Sequence, residues 1–135
     1  MALENRSNCP ITFALDLFGD KWSLLILRDL LFQGKSHYQE FAHSAEGIST
    51  NILADRLNKL EENGFLNKKK DEKNKKQYIY TPTKKTKELI PMLGEMIAWS
   101  AKHDPKTGVP AKMRKLIIKD KNAFISKLSA GLLPD

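Results

Sequence analysis

Residues 47–66 read GISTNILADRLNKLEENGFL, and the lysine-rich run KKKDEKNKK follows at 68–76. Within the first stretch, four large apolar residues recur at the spacing of one helical face, namely Ile52, Leu53, Leu57 and Leu60. Ser49 can cap the start by accepting an amide hydrogen bond, and Gly64 can adopt the left-handed conformation that ends a helix. The stretch therefore predicts one capped amphipathic helix over 49–63.

The opposite face of this predicted helix is polar and lacks bulky side chains. A helix in the major groove of DNA needs such a face, because amide and carboxylate groups can hydrogen-bond to base edges. The candidates for base contact are Thr50, Asn51, Ala54, Asp55 and Asn58. Arg56 and Lys59 lie at the edge of the apolar face. They can pair there with Glu61 or Glu62 rather than touch DNA. The alternative is an ordinary surface helix, which also has a polar outer face.

The lysine-rich run predicts a charged β-ribbon, here called the wing, over 66–80. Within 68–76, six lysines against two acidic residues give a net charge of +4. Such a ribbon can hold phosphates beside a groove and so provide affinity without sequence information. The candidates for phosphate contact are Ser49, Lys68, Lys69, Lys70, Lys73, Lys75 and Lys76. The alternative is a solvated charged surface with no binding role.

The rest of the chain is read by the same patterns of apolar spacing. Upstream, these predict three helices, over 10–18, 21–33 and 36–45, the last with Ser36 as a candidate N-cap. Downstream they predict strands over 65–70 and 77–83, followed by helices over 84–102 and 111–130. Pro91 lies inside the first of these later helices, so that helix either kinks or begins there. A linker is expected at 104–110.

This order of elements predicts a mainly α fold with a small β-ribbon. The helices over 36–45 and 49–63 are joined by a short turn containing glycine, which is the spacing of a helix-turn-helix. A charged ribbon after the second helix makes the motif a winged one. The fold expected is a winged helix-turn-helix with further helices at its N- and C-terminal ends.

Composition excludes several classes of function. The chain of 135 residues has a net charge of +7 and is 41% hydrophobic, as expected for one soluble domain with a basic surface. Neither a signal peptide nor a membrane span is evident, so a cytoplasmic location without a membrane partner is expected.

The single cysteine, Cys9, excludes an intrachain disulfide, and the three histidines lack metal-ligand spacing. Neither a phosphate-cradling loop nor a nucleophile–base pair is evident, so neither a cofactor nor enzymatic activity is expected.

Short motifs in a fixed order resemble a known family. They are Cys9-Pro10, Gly19-Asp20-Lys21-Trp22, Ile26–Leu30, Gly47-Ile48-Ser49, Leu53–Leu57, Leu60–Leu66, Tyr80–Thr83 and Leu89–Trp99. Together they resemble the HxlR-type transcriptional regulators, which are winged-helix proteins related to the MarR type. The resemblance covers roughly 8–103, which is the expected winged domain. Residues 104–135 are expected to form the linker and a C-terminal helix for dimerisation or packing.

The sequence also departs from this family pattern. His37-Tyr38-Gln39-Glu40-Phe41 stands where an Arg-Phe-x-Glu-Leu pattern is usual, and Thr86 stands at a position that is commonly glycine. The wing lacks the prolines that many members carry there.

The resemblance implies a homodimer that binds double-stranded operator DNA with pseudo-twofold symmetry. Helix 49–63 would lie in the major groove, and the dimer interface would come from 10–18, 84–102 and in part 111–130. Met92, Ile97 and Trp99 widen the apolar side of the predicted helix over 84–102. The alternative is that these three side chains belong to the core of one monomer. A further alternative is a winged-helix protein-protein interaction module without operator binding.

Cys9 directly precedes Pro10 at the predicted start of the first helix. A sulfur at this position is close to the positive end of the helix dipole, which favours the thiolate. The resemblance implies redox or electrophile sensing through Cys9, with an oxidant or small molecule as effector. The alternative is a small buried side chain without chemistry.

Overall fold

The computed structural model describes residues 6–132, which form eight helices and one two-stranded sheet. The elements are α1 Pro10–Phe18, α2 Ser23–Phe32, α3 Tyr38–Ala42, α4 Thr50–Glu62, β1 Leu66–Lys70, β2 Tyr78–Pro82, α5 Lys84–Lys87, α6 Ile90–His103, α7 Ala111–Lys119 and α8 Lys121–Ser129. Packing divides them into two compact units, one up to Thr86 and the other from Lys87 on. Within residues 6–132, none of the helices combines the length and apolarity needed to span a bilayer.

The first unit is built around α2. Its core contains the apolar faces of α2 and α4 together with Phe41, Phe65 and Tyr80; the buried helix residues are Ile26, Leu27, Leu30, Leu53, Leu57 and Leu60. The predicted start of α2 at residue 21 is wrong, since the helix begins at Ser23. The Asp20 carboxylate accepts hydrogen bonds from the amides of Trp22, at 3.0 Å, and Ser23, at 3.1 Å. The first amides of a helix have no carbonyl acceptor within the helix, and the Asp20 carboxylate supplies acceptors for these two.

The helix-turn-helix is present, but its first helix is shorter than predicted. The N-cap of α3 is His37 rather than Ser36, and the helix covers only Tyr38–Ala42. Oε1 of Glu40 accepts hydrogen bonds from the backbone amides of Ser36, at 3.1 Å, and His37, at 3.0 Å. These two bonds hold the chain extended before the helix. The predicted helix over 36–45 is therefore too long at both ends.

Both predicted ends of the second helix are confirmed. The Ser49 hydroxyl accepts the amide of Ile52 at 3.3 Å, as expected for an N-cap. Gly64, just after the C-cap Asn63, has φ +80°, the left-handed conformation that glycine favours. A further glycine, Gly47, has φ +72° in the turn that leads into α4.

The predicted wing is an antiparallel pair of β1 and β2 in which Lys68 faces Tyr80. The amide of Asp71 donates to the Gln77 carbonyl at 3.0 Å and closes the turn between the strands. Residue His37 forms an isolated antiparallel bridge with Ile79, so β2 also pairs with the segment before α3.

The second unit consists of α6, α7 and α8 around Phe124, which is fully buried. Pro91 lies in the first turn of α6, so the alternative in which a helix begins there is confirmed. The single helix predicted over 111–130 is wrong. Asp120 interrupts it with an extended conformation, φ −156° and ψ 89°, and its carboxylate caps α8 by accepting the amide of Ala123 at 3.1 Å. The domain boundary between 103 and 104 remains a prediction, and the packing division lies earlier.

Candidate nucleic-acid interface

The outward face of α4 carries every residue that was predicted to contact bases. All five are exposed, whereas Leu53, Leu57 and Leu60 on the inward face are at most 2% exposed. The five exposed residues are Thr50, Asn51, Ala54, Asp55 and Asn58. Burial of the leucines fixes the rotation of α4, so the five exposed side chains share one surface.

Two cations hold the Asp55 carboxylate on this surface. Lys59 lies one helical turn later, with its Nζ 3.3 Å from Oδ2, and Arg56 donates to the same oxygen. Arg56 also donates from Nε to Asp20 Oδ2 at 2.8 Å. The expected pairing of Arg56 and Lys59 with Glu61 or Glu62 did not include these two partners, Asp55 and Asp20. Asp20 was missed as a partner because it is 36 residues away in sequence.

The Arg56–Asp20 pair connects α4 to the start of α2. Partial burial raises the pKa of Asp20, but hydrogen bonds from Ser23, Arg56 and two amides outweigh burial and lower this pKa to about 2. The carboxylate is therefore ionised at neutral pH and remains able to accept from Arg56.

A second ion-pair network fixes the turn before α4. The Arg28 guanidinium donates to both oxygens of Glu46, at 2.7 and 2.9 Å, and also to Asp29. Asp29 is only 2% exposed, and its other oxygen accepts from Lys35 Nζ at 3.1 Å. Hydrogen bonds from Arg28 lower the pKa of Glu46 to about 2. Charged residues inside the apolar stretch of α2 were the sequence signal for this network.

The wing exposes all six of its predicted phosphate-binding lysines, which are Lys68, Lys69, Lys70, Lys73, Lys75 and Lys76. Lys68 Nζ lies 4.3 Å from the centroid of the Tyr78 ring, a cation–π contact that orients this side chain. Ser49, the other predicted phosphate contact, is exposed at the start of α4 while its hydroxyl caps the helix.

Hydroxyl groups attach the base of the wing to the segment that follows it. Thr83 Oγ1 donates to the Gly64 carbonyl at 2.6 Å, and Thr86 Oγ1 donates to the Phe65 carbonyl. Thr86 is fully buried, so its hydroxyl has a structural partner at the position where glycine is common. This departure is therefore accommodated by a hydrogen bond.

Cys9 is exposed and is the N-cap residue of α1. Backbone hydrogen bonds from Thr12 and Ile11, together with the Thr12 side chain, lower the pKa of the thiol below its ordinary value. The buried alternative for Cys9 is wrong. Within residues 6–132, His, Cys, Asp and Glu side chains form no group of three or more able to hold a metal ion.

Each unit also exposes large apolar side chains. In the first unit, α1 exposes Ile11, Phe13 and Leu15 at 69, 50 and 54%. In the second, Trp99 and Ile118 are 67 and 80% exposed. Ile97, in contrast, packs partly buried against the core around Phe124, which matches the core alternative for that residue.

Sequence and structure comparisons identify similar proteins. The model of the HxlR-like helix-turn-helix family matches residues 17–107. The HTH-type transcriptional regulator sll1512 of Synechocystis sp. is 34% identical over 90 residues, which are 67% of this chain and 66% of the relative. The HTH-type transcriptional regulator YodB of Bacillus subtilis is 32% identical over 93 residues, covering 68% of this chain and 82% of YodB.

Two solved structures show the same likeness. The reduced form of YodB superimposes with a TM-score of 0.60 at 28% identity, covering 75% of this chain and 100% of that one. The redox regulator HypR in its oxidised form gives a TM-score of 0.61 at 25% identity, covering 70% of this chain and 96% of that one. These relatives are transcriptional regulators rather than enzymes. Since the family model spans more than half of the chain, the protein belongs to the HxlR-like helix-turn-helix family and is a transcriptional regulator of that type.

Proposed function

We propose that the protein acts as a homodimer on operator DNA, with α4 in the major groove and the wing on phosphates. The observation that carries this proposal is the exposed polar face of α4, held in a fixed rotation by its buried leucines. The wing belongs to the same compact unit as α4, so base reading and phosphate binding can act together.

On this helix, Asn51 and Asn58 supply amides that can donate to and accept from an adenine edge. Asp55 can accept from the amino group of cytosine. An isolated carboxylate would be repelled by nearby phosphates. Here Arg56 and Lys59 offset that charge while 47% of the Asp55 side chain stays exposed.

The dimer is supported by apolar side chains that a monomer leaves in water. Ile11 and Leu15 lie one turn apart on α1, and Trp99 is exposed on α6. Burying them against a second copy provides the hydrophobic contribution to association. A twofold dimer also supplies two reading helices for a twofold operator.

The proposal includes a response to oxidants or electrophiles through Cys9. An exposed thiol with a lowered pKa is more often the reactive thiolate. Because the chain has one cysteine, a disulfide between cysteines of this protein must join two protomers. In that step a peroxide takes two electrons and two protons from two thiols, forming the S–S bond and either two waters, from hydrogen peroxide, or one alcohol and one water, from an organic hydroperoxide. A quinone would instead add to one sulfur, and YodB has been solved with quinone bound.

Fluorescence anisotropy tests the DNA proposal. Reduced protein is titrated into the duplex upstream of its own gene and into a scrambled duplex, at several salt concentrations. We expect tighter binding to the native sequence and a loss of affinity as salt rises. Equal, salt-insensitive binding to both duplexes would contradict operator binding and favour the protein-protein interaction module.

The Cys9 proposal needs a separate test. The protein–DNA complex is treated with hydrogen peroxide or benzoquinone and then with a reductant. We expect a change in affinity that reductant reverses for the peroxide, and a Cys9→Ser variant that does not respond. A matching response in Cys9→Ser would exclude the thiol as the sensor.

A further inference from the structure

His37 joins the helix-turn-helix to the wing. Its backbone is the N-cap of α3 and also bridges Ile79 of β2. The amide of Tyr80 donates to the carbonyl of Ser36 at 2.7 Å, and this bond is part of the same backbone pairing. Position 37 is therefore a point of contact between the reading element and the phosphate-binding element.

The His37 ring lies between two carboxylates from different elements. Its Nε2 is 3.1 Å from Asp71 Oδ2, at the start of the wing turn, and its Nδ1 is 3.1 Å from Glu40 Oε1 on α3. Asp71 also accepts the amide of Lys73 at 2.9 Å, so it fixes the conformation of the turn. The ring thus connects α3 directly to the turn that carries the wing lysines.

Only the imidazolium form can donate to both carboxylates at once. In the neutral ring, one nitrogen loses its proton. When Nδ1 is the nitrogen without a proton, the Ser36 hydroxyl, 3.1 Å away, can donate to Nδ1. Glu40 then loses the donor that Nδ1 supplied, and the ring loses its charge. Deprotonation therefore weakens the connection without removing it.

The charged groups around the His37 ring have opposing effects on the stability of its protonated form. The residues that line the cavity beside His37 include Lys69, Lys70, Asp71, Glu72 and Lys73, and Glu40 faces the ring from α3. The lysines disfavour the imidazolium and the carboxylates favour it. The hydrogen bonds to Asp71 and then Glu40 outweigh partial burial and raise the pKa of His37 above its ordinary value.

We propose that His37 is a positioning residue for the wing, holding it against the helix-turn-helix most firmly when the ring is protonated. The consequence for DNA rests on the function proposed above, whereas the attachment of the wing is a property of the free protein. Because the folded-state pKa of His37 is raised, the additional attachment is fully present below the unfolded value and is lost as pH rises through the folded value. Phosphate contact by the wing lysines should weaken over the same range.

The first test uses free protein and a background of Cys9→Ser, which removes thiol titration. NMR titration of the His37 ring is compared with the same titration in Asp71→Asn. Asparagine keeps the oxygen that accepts from Lys73, and it replaces the charged oxygen that faces His37 with an uncharged amino group. We expect the pKa of His37 to fall in Asp71→Asn. An unchanged titration would overturn the proposal.

Amide hydrogen exchange of β1 and β2 then measures attachment of the wing. Wild type is compared with His37→Arg, a permanent cation, at the same pH, which cancels the intrinsic pH dependence of exchange. Protection should match at roughly pH 6 and be about two- to fivefold lower in wild type at roughly pH 8.5, the range that a partly exposed ion pair supports. His43→Gln is the matched histidine control and should behave as wild type. A pH-independent ratio between wild type and His37→Arg would contradict the proposal.

Duplex binding shows whether the attachment matters for DNA. Removing a negative charge near phosphates should raise affinity if only overall charge matters. If Asp71 holds the wing through His37, Asp71→Asn should instead lower affinity about two- to fivefold at roughly pH 6 and have little effect at roughly pH 8.5. Higher affinity for Asp71→Asn at the lower pH would refute the positioning role. Absence of duplex binding at every pH would refute the proposed function and leave the exchange result intact.

Discussion

At the scale of single residues, Asn51 and Asp55 lie one helical turn apart on the exposed face of α4 but in different surroundings. Asp55 is paired with Lys59 and Arg56, and Arg56 is in turn paired with Asp20. The Asp55 carboxylate is therefore held by ion pairs within the fold and is also exposed on the outward face of α4. Asn51 lies in the first turn, where a side chain can reach a base edge when the helix N-terminus points into a groove.

Asn51→Ala should relax sequence choice. One bidentate amide–adenine contact provides about 1–3 kcal/mol of discrimination. The difference in binding free energy between native and scrambled duplexes should fall by about 1–3 kcal/mol. Binding to the scrambled duplex should change little. Asn122→Ala, at an exposed helical position of the second unit, is the matched control. A ratio that stays at the wild-type value in Asn51→Ala would remove Asn51 from the base contacts.

Cys9 should react as a thiolate at lower pH than an ordinary thiol. Hydrogen bonds from Thr12 and Ile11 stabilise the charged form and so lower the thiol pKa. The alkylation rate should rise with pH and reach its half-maximum below the midpoint of the same chain in denaturant, which has the same thiol without the helix. Coincident midpoints would show that the start of α1 does not activate the sulfur.

At the scale of elements, the sequence predicts what neighbouring residues determine. Ser49, Gly64 and the leucine spacing defined both ends and the buried face of α4, and all three are confirmed. The break at Asp120 was missed because apolar spacing continues across it. The Asp120 carboxylate stabilises the break by capping α8 through the amide of Ala123, and residues of both helices pack against the core around Phe124.

Contacts between distant residues were not predictable from local patterns. Arg56 reaches Asp20 across 36 positions, and His37 reaches Asp71 across 34. Both contacts need the fold to bring their elements together. The face of α4 and the lysines of the wing were predictable as candidate site residues, whereas the contacts that position them were not.

The wing should contribute affinity without sequence choice. Lys73→Gln with Lys75→Gln should weaken native and scrambled duplexes equally and reduce the slope of log affinity against log salt by about 2, since each phosphate contact contributes about 0.9. Lys112→Gln with Lys115→Gln, at exposed positions on α7, is a control with the same change in charge. If both pairs reduce the slope alike, net charge rather than the wing accounts for the effect.

At the scale of the whole molecule, each unit leaves an apolar surface that its own core does not use. The nine residues of α1 bury only Phe18, although most of the helix is apolar. In the second unit, α6 directs Ala98 and Ala101 inward and leaves Trp99 in water. The proposed reading of a twofold operator requires an interface between copies, and these surfaces can supply one.

Ile11→Lys with Leu15→Lys should convert the proposed dimer to a monomer. The two residues lie on one exposed face of α1, so lysines there leave the core intact and place charge in the proposed interface. Sedimentation equilibrium should give twice 15.4 kDa for wild type and 15.4 kDa for the variant, with unchanged circular dichroism. Asn67→Lys with Thr81→Lys adds the same charge at exposed positions of the wing, outside the helices predicted to dimerise, and should remain dimeric. The monomer should also lose the sensitivity to half-site spacing that two reading heads about 34–36 Å apart impose. A variant that stays dimeric with unchanged spacing sensitivity would exclude this face of α1 from the interface.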